Sequence, residues 1–475
     1  MKFGGVTTDH KWLQLPDELT ARYNHWDCYN TARLVPKVEN QLDRAGNRDF
    51  FTDYFWPLVP VVTDMQRRGV GYLDREVRNS LRRKLRSEIA QLEKDILDGT
   101  DPTNYTDKLF NSPKQLAKLL FDEWGLPKAK PTRKNPSGRS TDLAALGGIL
   151  SRLRKRDEPY RLRLYDLFHH SRLQTILERY LVVEGDPDGR VRPTIKLGGT
   201  ETGRFAYAGG PGEAIQQWPP EVRGLIRAAP GCVFVARDYS QLEARILAIL
   251  AQDRVSLAAF AEGRDVHLQN TLDLFGFSQA QFDQLPPKNK VAFRNFAKVF
   301  LYGLSYGGKA DSIKMKLFCP CARCTHKAPP QVNLSKLEVV RAASRWEQIH
   351  WPVMEWRAKL VESVYGHGQD RTWTSPFGWR RRLWEPRSLG ERSLMNLPMQ
   401  HCASQIINRV MVRLHSVGVP LVLQMHDELV IECKLDEADE MNELLKETME
   451  MKVPELGGAV FPTSGAVGER WSDLK

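Results

Sequence analysis

Cys232-Val-Phe-Val-Ala-Arg-Asp238-Tyr239-Ser240 is a run of apolar and β-branched residues that ends on a carboxylate. It predicts a buried strand, and the next residues predict a helix with Leu242, Ile246, Leu247 and Leu250 on one face. Asp238 is therefore expected at the edge of a sheet, where a strand hands over to a helix. A second carboxylate site lies 189 positions later, in Val419-Pro-Leu-Val-Leu-Gln-Met425, His426-Asp427-Glu428 and Leu429-Val-Ile-Glu-Cys433. Two apolar strands around a tight polar turn predict a β-hairpin with Asp427 at its tip.

Two-metal phosphoryl transfer needs carboxylates from separate elements to hold a pair of cations, one acidifying the attacking hydroxyl and one stabilising the leaving group. Asp238 and Asp427 suit that task. The ordinary alternative for an acid at a strand end is a turn residue or helix N-cap. A third site, Arg294-Asn-Phe-Ala-Lys298-Val-Phe-Leu-Tyr302-Gly303-Leu-Ser-Tyr306-Gly307, shifts the balance. Each step of four residues on a helix advances only about 40° beyond a full turn, so Arg294, Lys298 and Tyr302 share a face with Tyr306 at its far edge. Two cations followed by two aromatic platforms can hold a triphosphate at one end and a base and sugar at the other. A basic amphipathic helix with core aromatics is the commonplace alternative.

The composition permits this chemistry. The 475 residues are too many for one ordinary core and enough to enclose a cleft. Hydrophobic residues at 41% and charged residues at 27% suit a folded globular chain, not a disordered or fibrous one. A formal charge of +11 makes a polyanion a plausible partner. No apolar run is long enough to span a bilayer, and Met1-Lys2-Phe3-Gly4-Gly5 lacks a signal-peptide apolar region. The expectation is a cytoplasmic protein with no membrane partner. Residues 74–97 predict a long charged amphipathic helix with Leu81, Leu85, Ile89, Leu92 and Ile96 at helical spacing. Residues 128–140, basic and rich in Pro, Gly and Ser, predict a loop that either follows a phosphate backbone or is a solvated linker. Residues 51–58 predict an aromatic-rich connection.

The three sites in this order resemble the motifs of family A DNA polymerases, the group that includes bacterial DNA polymerase I. Residues 238–245 (DYSQLEAR) look like motif A, 294–307 like motif B and 426–428 (HDE) like motif C. The likeness runs from about residue 57 to the C-terminus and takes in 110–127, 188–206, 263–276 and 391–400. It implies an α+β right-hand fold with an antiparallel palm sheet, a thumb at about 75–180, a palm at about 181–250 and 346–475, and fingers at about 251–345. It also implies primer-template DNA and deoxynucleoside triphosphates as partners, and two magnesium ions held by Asp238, Asp427 and the Tyr239 carbonyl. Glu428 is a weaker metal candidate. Arg294 and Lys298 would grip the triphosphate, Lys298 serving also as proton donor to pyrophosphate. Gln241, Glu243, His267, Tyr302 and Tyr306 would line the nucleotide. Thr202, Arg204, Gln216, Asn396, Gln400 and His426 would contact primer or template. Where the family usually has Gln-Asn, an apolar residue and Pro, this chain has Gln216-Gln217-Trp218-Pro219, and the connection from Arg227 to Asp238 is short.

Two features lie outside that pattern. Tyr23-Asn-His-Trp-Asp27 resembles the last motif of the 3′ to 5′ exonuclease domain that often precedes this polymerase. Residues 1–50 are expected to be its remnant. They would be either a vestigial helix packed on the polymerase body of 51–475 or half of a site completed by a separate exonuclease polypeptide. Within 319–330, Cys319, Cys321, Cys324 and His326 offer the ligand set of a structural zinc, against the alternative of a reduced cysteine-rich loop. The nearest functional rival is a single-subunit RNA polymerase; Glu243 at the sugar-facing position argues for deoxyribonucleotides. A non-catalytic DNA-binding subunit would not need both Asp residues and Lys298. The compact, split organisation suggests a phage origin.

Overall fold

The computed structural model describes residues 16–101, 105–106, 108–129, 131, 135–150, 152–153, 158–208, 214–305 and 336–474, without the side chains of Ala208, Lys288, Leu301, Tyr302, Ser305 and Lys336. Tyr306, Cys319, Cys321, Cys324 and His326 lie outside the described residues, as does the side chain of Tyr302.

Helix α1 (Asp17–Ala45) has no buried residue and ends at Gly46, whose φ of 64° lets its N–H cap Asp43 and Leu42 carbonyls. It does not lie packed along the body. Its C-terminal end is fastened instead: the Asn47 side chain donates to the Arg380 carbonyl and accepts from the Arg380 N–H, at 2.8 Å each. The aromatic connection after it is helical, not irregular. Phe50 stacks on Tyr54 and Phe51 on Phe55, and such four-residue pairs hold a wide turn over Phe51–Phe55.

Helix α2 (Leu58–Arg68) buries Leu58, Val61, Val62 and Met65 in the main core. Asp74 caps α3 (Arg75–Leu97) by accepting the Val77 N–H, and Leu85, Ile89, Leu92 and Ile96 form the helix's buried stripe. A second core of Ile96, Leu119, Leu120, Ile149, Leu164 and Phe168 joins the far end of α3 to α4 (Glu158–Thr175). Within 128–140, Arg139 is engaged by Asp122 through two hydrogen bonds of 2.7 and 2.6 Å. That cation serves the fold.

Strand β1 (Cys232–Tyr239) passes into α5 (Leu242–Ala251), which buries Leu242, Ile246, Leu247, Ala248 and Ala251; Leu250 is only half-buried. Then come α6 (Val266–Phe275), α7 (Pro287–Ser305), α8 (Lys336–Ile349) and α9 (Trp351–Tyr365). A hairpin of β2 (Thr372–Thr374) and β3 (Arg380–Arg382) leads into the 30-residue α10 (Arg387–Ser416). The chain closes with β4 (Leu421–Met425), β5 (Glu428–Lys434), α11 (Ala438–Met449) and β6 (Thr463–Gly468). The four-stranded sheet has the order β6-β1-β5-β4, and every neighbouring pair is antiparallel. This sheet and the helices are segregated along the chain, an α+β arrangement.

One buried polar cluster fastens several of the helices to one another. His350, between α8 and α9, lies 2.8 Å through Nδ1 from Asp253 at the start of residues 253–261 and 3.5 Å through Nε2 from Asp273 of α6. Burial disfavours the imidazolium, but the hydrogen bond to Asp253 and the nearby charges of Asp253 and Asp273 outweigh that and raise its pKa. A histidine between two carboxylates therefore bridges three elements. Among the described residues, no helix is long and apolar enough to cross a membrane.

Candidate active site

The strand and hairpin bring the two distant carboxylates to one end of the sheet. Glu428, first residue of β5, is opposite Asp238 on β1, and the Tyr239 N–H donates to the Asp427 carbonyl at 3.1 Å. Met425 pairs with Glu428, so His426 and Asp427 alone make the turn. His426 holds a φ of 56°, a left-handed conformation that costs a residue other than glycine about 1 kcal/mol or more. Gln424 restrains that turn by donating from Nε2 to the His426 carbonyl at 2.7 Å. Gln241, at the junction of β1 and α5, is also left-handed with φ 57°. Both outliers flank the same cleft.

That cleft, of about 390 Å³, is lined by Asp238, Tyr239, Gln241, Leu242, Glu243, His267, Lys298, Met425, His426 and Asp427. Three carboxylates thus face one space. Burial raises the Asp427 pKa to about 7, Arg204 works against the rise, and the charges of Glu243 and Asp238 add to it. Asp427 Oδ1 is buried and accepts no hydrogen bond, with the Arg204 guanidinium 3.8 Å away. Gln241 Oε1 is likewise buried without a hydrogen bond. An orphaned carboxylate oxygen beside two more acids is an all-oxygen donor set of the sort that hard divalent cations take. Among the described residues no group of three or more His, Cys, Asp or Glu is gathered closely enough to hold a metal by itself. Two protein carboxylates plus a substrate's phosphates are how magnesium is usually bound, so the residues fit the ion.

Opposite the carboxylates, α7 supplies cations. Lys298 lines the cleft, while Arg294 is tied to Asp265 by Nε at 2.8 Å and Nη2 at 2.7 Å. Asp265 also caps α6 by accepting the His267 N–H. Burial pushes the His267 pKa down to about 4, and the charges of Lys298 and Arg294 push it the same way. The imidazole is neutral at neutral pH and can donate to a phosphate without adding a full charge. The backbone of Tyr302 continues the same helix.

Arg204 reaches the cleft from the loop 198–205. It pairs with Glu243 through a hydrogen bond from Nη2 to the carboxylate. Its loop is clamped from α10, where Ser404 Oγ donates to the Thr202 carbonyl at 3.0 Å and His401 Nδ1 lies 3.2 Å from it. Gly203 sits between with φ +82°, and a Cβ there would stand 2.9 Å from Gln405 Nε2, so this turn requires glycine. Asn396 and Gln400 are one turn apart and half-buried on α10; Asn396 Oδ1 has no hydrogen-bond partner. Gln216 is half-buried in the short helix Ile215–Gln217, against the fully buried Trp218. Glu428 is buried, facing away from water to a degree that Asp238 and Asp427 are not.

The sequence motifs did not reveal Asp265, His401 or Ser404 as parts of this site. Asp265 had a signal in hindsight, since an acid two residues before His267 at a helix start is a cap. The clamp on Thr202 had none, because it joins positions about 200 apart by a backbone carbonyl.

Comparison with known proteins agrees with this geometry. The family described as DNA polymerase family A matches residues 75–473. The thermostable DNA polymerase I of Thermus thermophilus is 29% identical over 440 residues, covering 88% of this chain and 48% of that protein. DNA polymerase I of Chloroflexus aurantiacus is 27% identical over 493 residues, covering 98% of this chain and 47% of its own length. The chain thus spans about half the length of these curated relatives. They are bacterial, and nothing in them supports the expected phage origin. The solved POL domain of Pol1 from M. smegmatis, in complex with DNA primer-template and dNTP, superposes with a TM-score of 0.74 at 22% identity, over 93% of this chain and 74% of that one. That likeness gives the right-hand α+β fold. With the family matched over most of its length and the motif carboxylates brought together at one cleft, this chain belongs to DNA polymerase family A.

Proposed function

We propose that the chain adds deoxyribonucleotides to a primer 3′ end on a DNA template, releasing pyrophosphate. The observation that carries this reading is the meeting of Asp238 and Asp427, 189 positions apart, across a cleft whose other wall holds Lys298 and His267. Asp238, Asp427 and the Tyr239 carbonyl would hold two magnesium ions; when bound, such a pair neutralises phosphate charge and acidifies the attacking hydroxyl. Lys298 and Arg294 grip the triphosphate, and Arg294 exchanges Asp265 for phosphate as it does so. Lys298 gives its proton to the departing pyrophosphate. Glu243 and Gln241 border the sugar. Tyr302 and Tyr306 would line the nucleotide, as the family likeness implies, and Thr202, Arg204, Gln216, Asn396, Gln400 and His426 hold primer and template. The region around α3 and α4 is the thumb, residues 251–345 the fingers, and the four-stranded sheet with α10 the palm. The test is extension of a primed template by the purified chain with deoxyribonucleotides and ribonucleotides in parallel. Elongation with the former alone supports the reading; elongation with ribonucleotides at equal rate identifies an RNA polymerase instead.

Two further proposals concern the rest of the chain. Cys319, Cys321, Cys324 and His326 are structural zinc ligands on the chemistry of the set alone, and metal analysis should return about one zinc per chain. Absence of zinc after chelator-free purification would leave a reduced loop. Helix α1 presents Tyr23, Trp26 and Tyr29 to solvent, which suits a docking surface for a separate exonuclease polypeptide bringing the carboxylates that Asp27 lacks. Trp26→Ala should then abolish co-purification of a 3′ to 5′ nuclease with the chain. Unchanged co-purification would contradict docking through this face.

A further inference from the structure

Trp384 is 74% exposed, the most open large apolar side chain among the described residues, and Leu389 nearby is 71% exposed. The Arg382 guanidinium lies over the Trp384 ring, 4.7 Å from its centroid. The outward pose is imposed by the chain. Leu383 is buried in a small core with Trp373, Val361 and Leu394, and its N–H donates to the Arg371 carbonyl at 2.8 Å. Alternation along an extended segment then turns Trp384 to solvent.

The same segment is bolted to the loop that reaches the cleft. Arg381 donates from Nη1 to the Glu201 carbonyl at 2.6 Å and from Nη2 to the Glu201 carboxylate at 2.7 Å. Glu201 immediately precedes Thr202 and lies three residues before Arg204, which meets Glu243 and Asp427. Trp384 is three residues beyond Arg381, so it stands at most roughly 10 Å of chain from that clamp. An exposed indole under the Arg382 guanidinium joins a π-face to positive charge, the combination that binds unpaired nucleotides with little regard to sequence.

We propose that Trp384, backed by the Arg382 guanidinium, is a stacking platform for an unpaired nucleobase of the DNA bound at the Asp238–Asp427 cleft. This rests on the proposed polymerase reading. The unpaired base comes either from the template ahead of the primer or from a frayed primer end, and the chemistry of stacking is the same for both.

Dissociation constants are to be measured for the wild type, Trp384→Ala and Trp384→Phe on three DNAs: a blunt duplex, one with a template overhang, and one with a mismatched primer terminus. A 2-aminopurine probe is placed in turn in each unpaired segment. Being mostly in water, the indole can be replaced without disturbing the core. Trp384→Ala should weaken binding of the overhang or the frayed end by about fivefold to a hundredfold and relieve quenching of the probe there, while Trp384→Phe keeps most of both. Blunt duplex should bind all three proteins alike, and the DNA that responds identifies the strand. Equal binding of every DNA by wild type and Trp384→Ala, or an equal loss on blunt duplex, would overturn the platform. Primer extension by the wild type in the same experiment shows whether the polymerase reading stands regardless.

Discussion

Asp427→Asn should lower primer extension by about a thousandfold or more, equivalent to about 4 kcal/mol of transition-state stabilisation, with Asp238→Asn doing the same. The amide keeps the shape of the turn and removes only the charge that a cation needs. Folding should survive, because burial raises the Asp427 pKa to about 7, with the charges of Glu243 and Asp238 adding to the rise, so the native state holds this carboxylate at a cost that a neutral amide does not incur. Affinity for primer-template should change little, since phosphate contacts elsewhere on the chain supply most of it. Extension within tenfold of wild type, measured in single-turnover incorporation, would remove Asp427 from the chemistry.

Glu243→Ala should raise ribonucleotide incorporation relative to deoxyribonucleotide by about 10- to 100-fold. The Glu243 side chain lines the cleft, and on the proposed reading a carboxylate bordering the sugar would leave no room for a 2′ hydroxyl, so truncation would remove a clash that the deoxy sugar never met. A second consequence follows from the ion pair. Arg204 loses its partner and has Asp427 as the next acid, 3.8 Å away. Overall rate should therefore fall as sugar selectivity falls. Glu243→Gln separates the two effects: it keeps the bulk and should keep the selectivity, but weakens the hold on Arg204. Steady-state incorporation of matched ribo- and deoxyribonucleotides by the three proteins measures both. Unchanged selectivity in Glu243→Ala would show that this side chain does not border the sugar.

The parts of the site that were legible in sequence are local ones. An apolar run ending on Asp238, and two apolar runs around His426-Asp427, declare their strands by composition, and the structure pairs them as expected. The stripe at Leu85, Ile89, Leu92 and Ile96 did the same for α3. Illegible were the contacts that fix side chains within those elements. Arg294 has a carboxylate partner 29 positions away, Arg204 one 39 away, and the Thr202 carbonyl is held from α10. Such pairs depend on how elements pack, not on spacing along one of them. The helical form of the aromatic run at 51–55 was illegible for a different reason: β-branched and aromatic residues lower helix propensity, but stacking at four-residue spacing outweighs it here. Exposure of α1 could not be foreseen either, because its aromatic pattern is that of a helix that packs against something.

The central claim is that carboxylates from β1 and the β4–β5 turn act together, with divalent cations, to transfer a nucleotidyl group. Single-turnover incorporation of one correct deoxynucleotide onto a primer, followed as magnesium is titrated from a chelated start, tests it most directly. The account predicts no product under chelation, a rate that climbs with magnesium and release of one pyrophosphate per nucleotide added. Incorporation that continues with the metal chelated would contradict it.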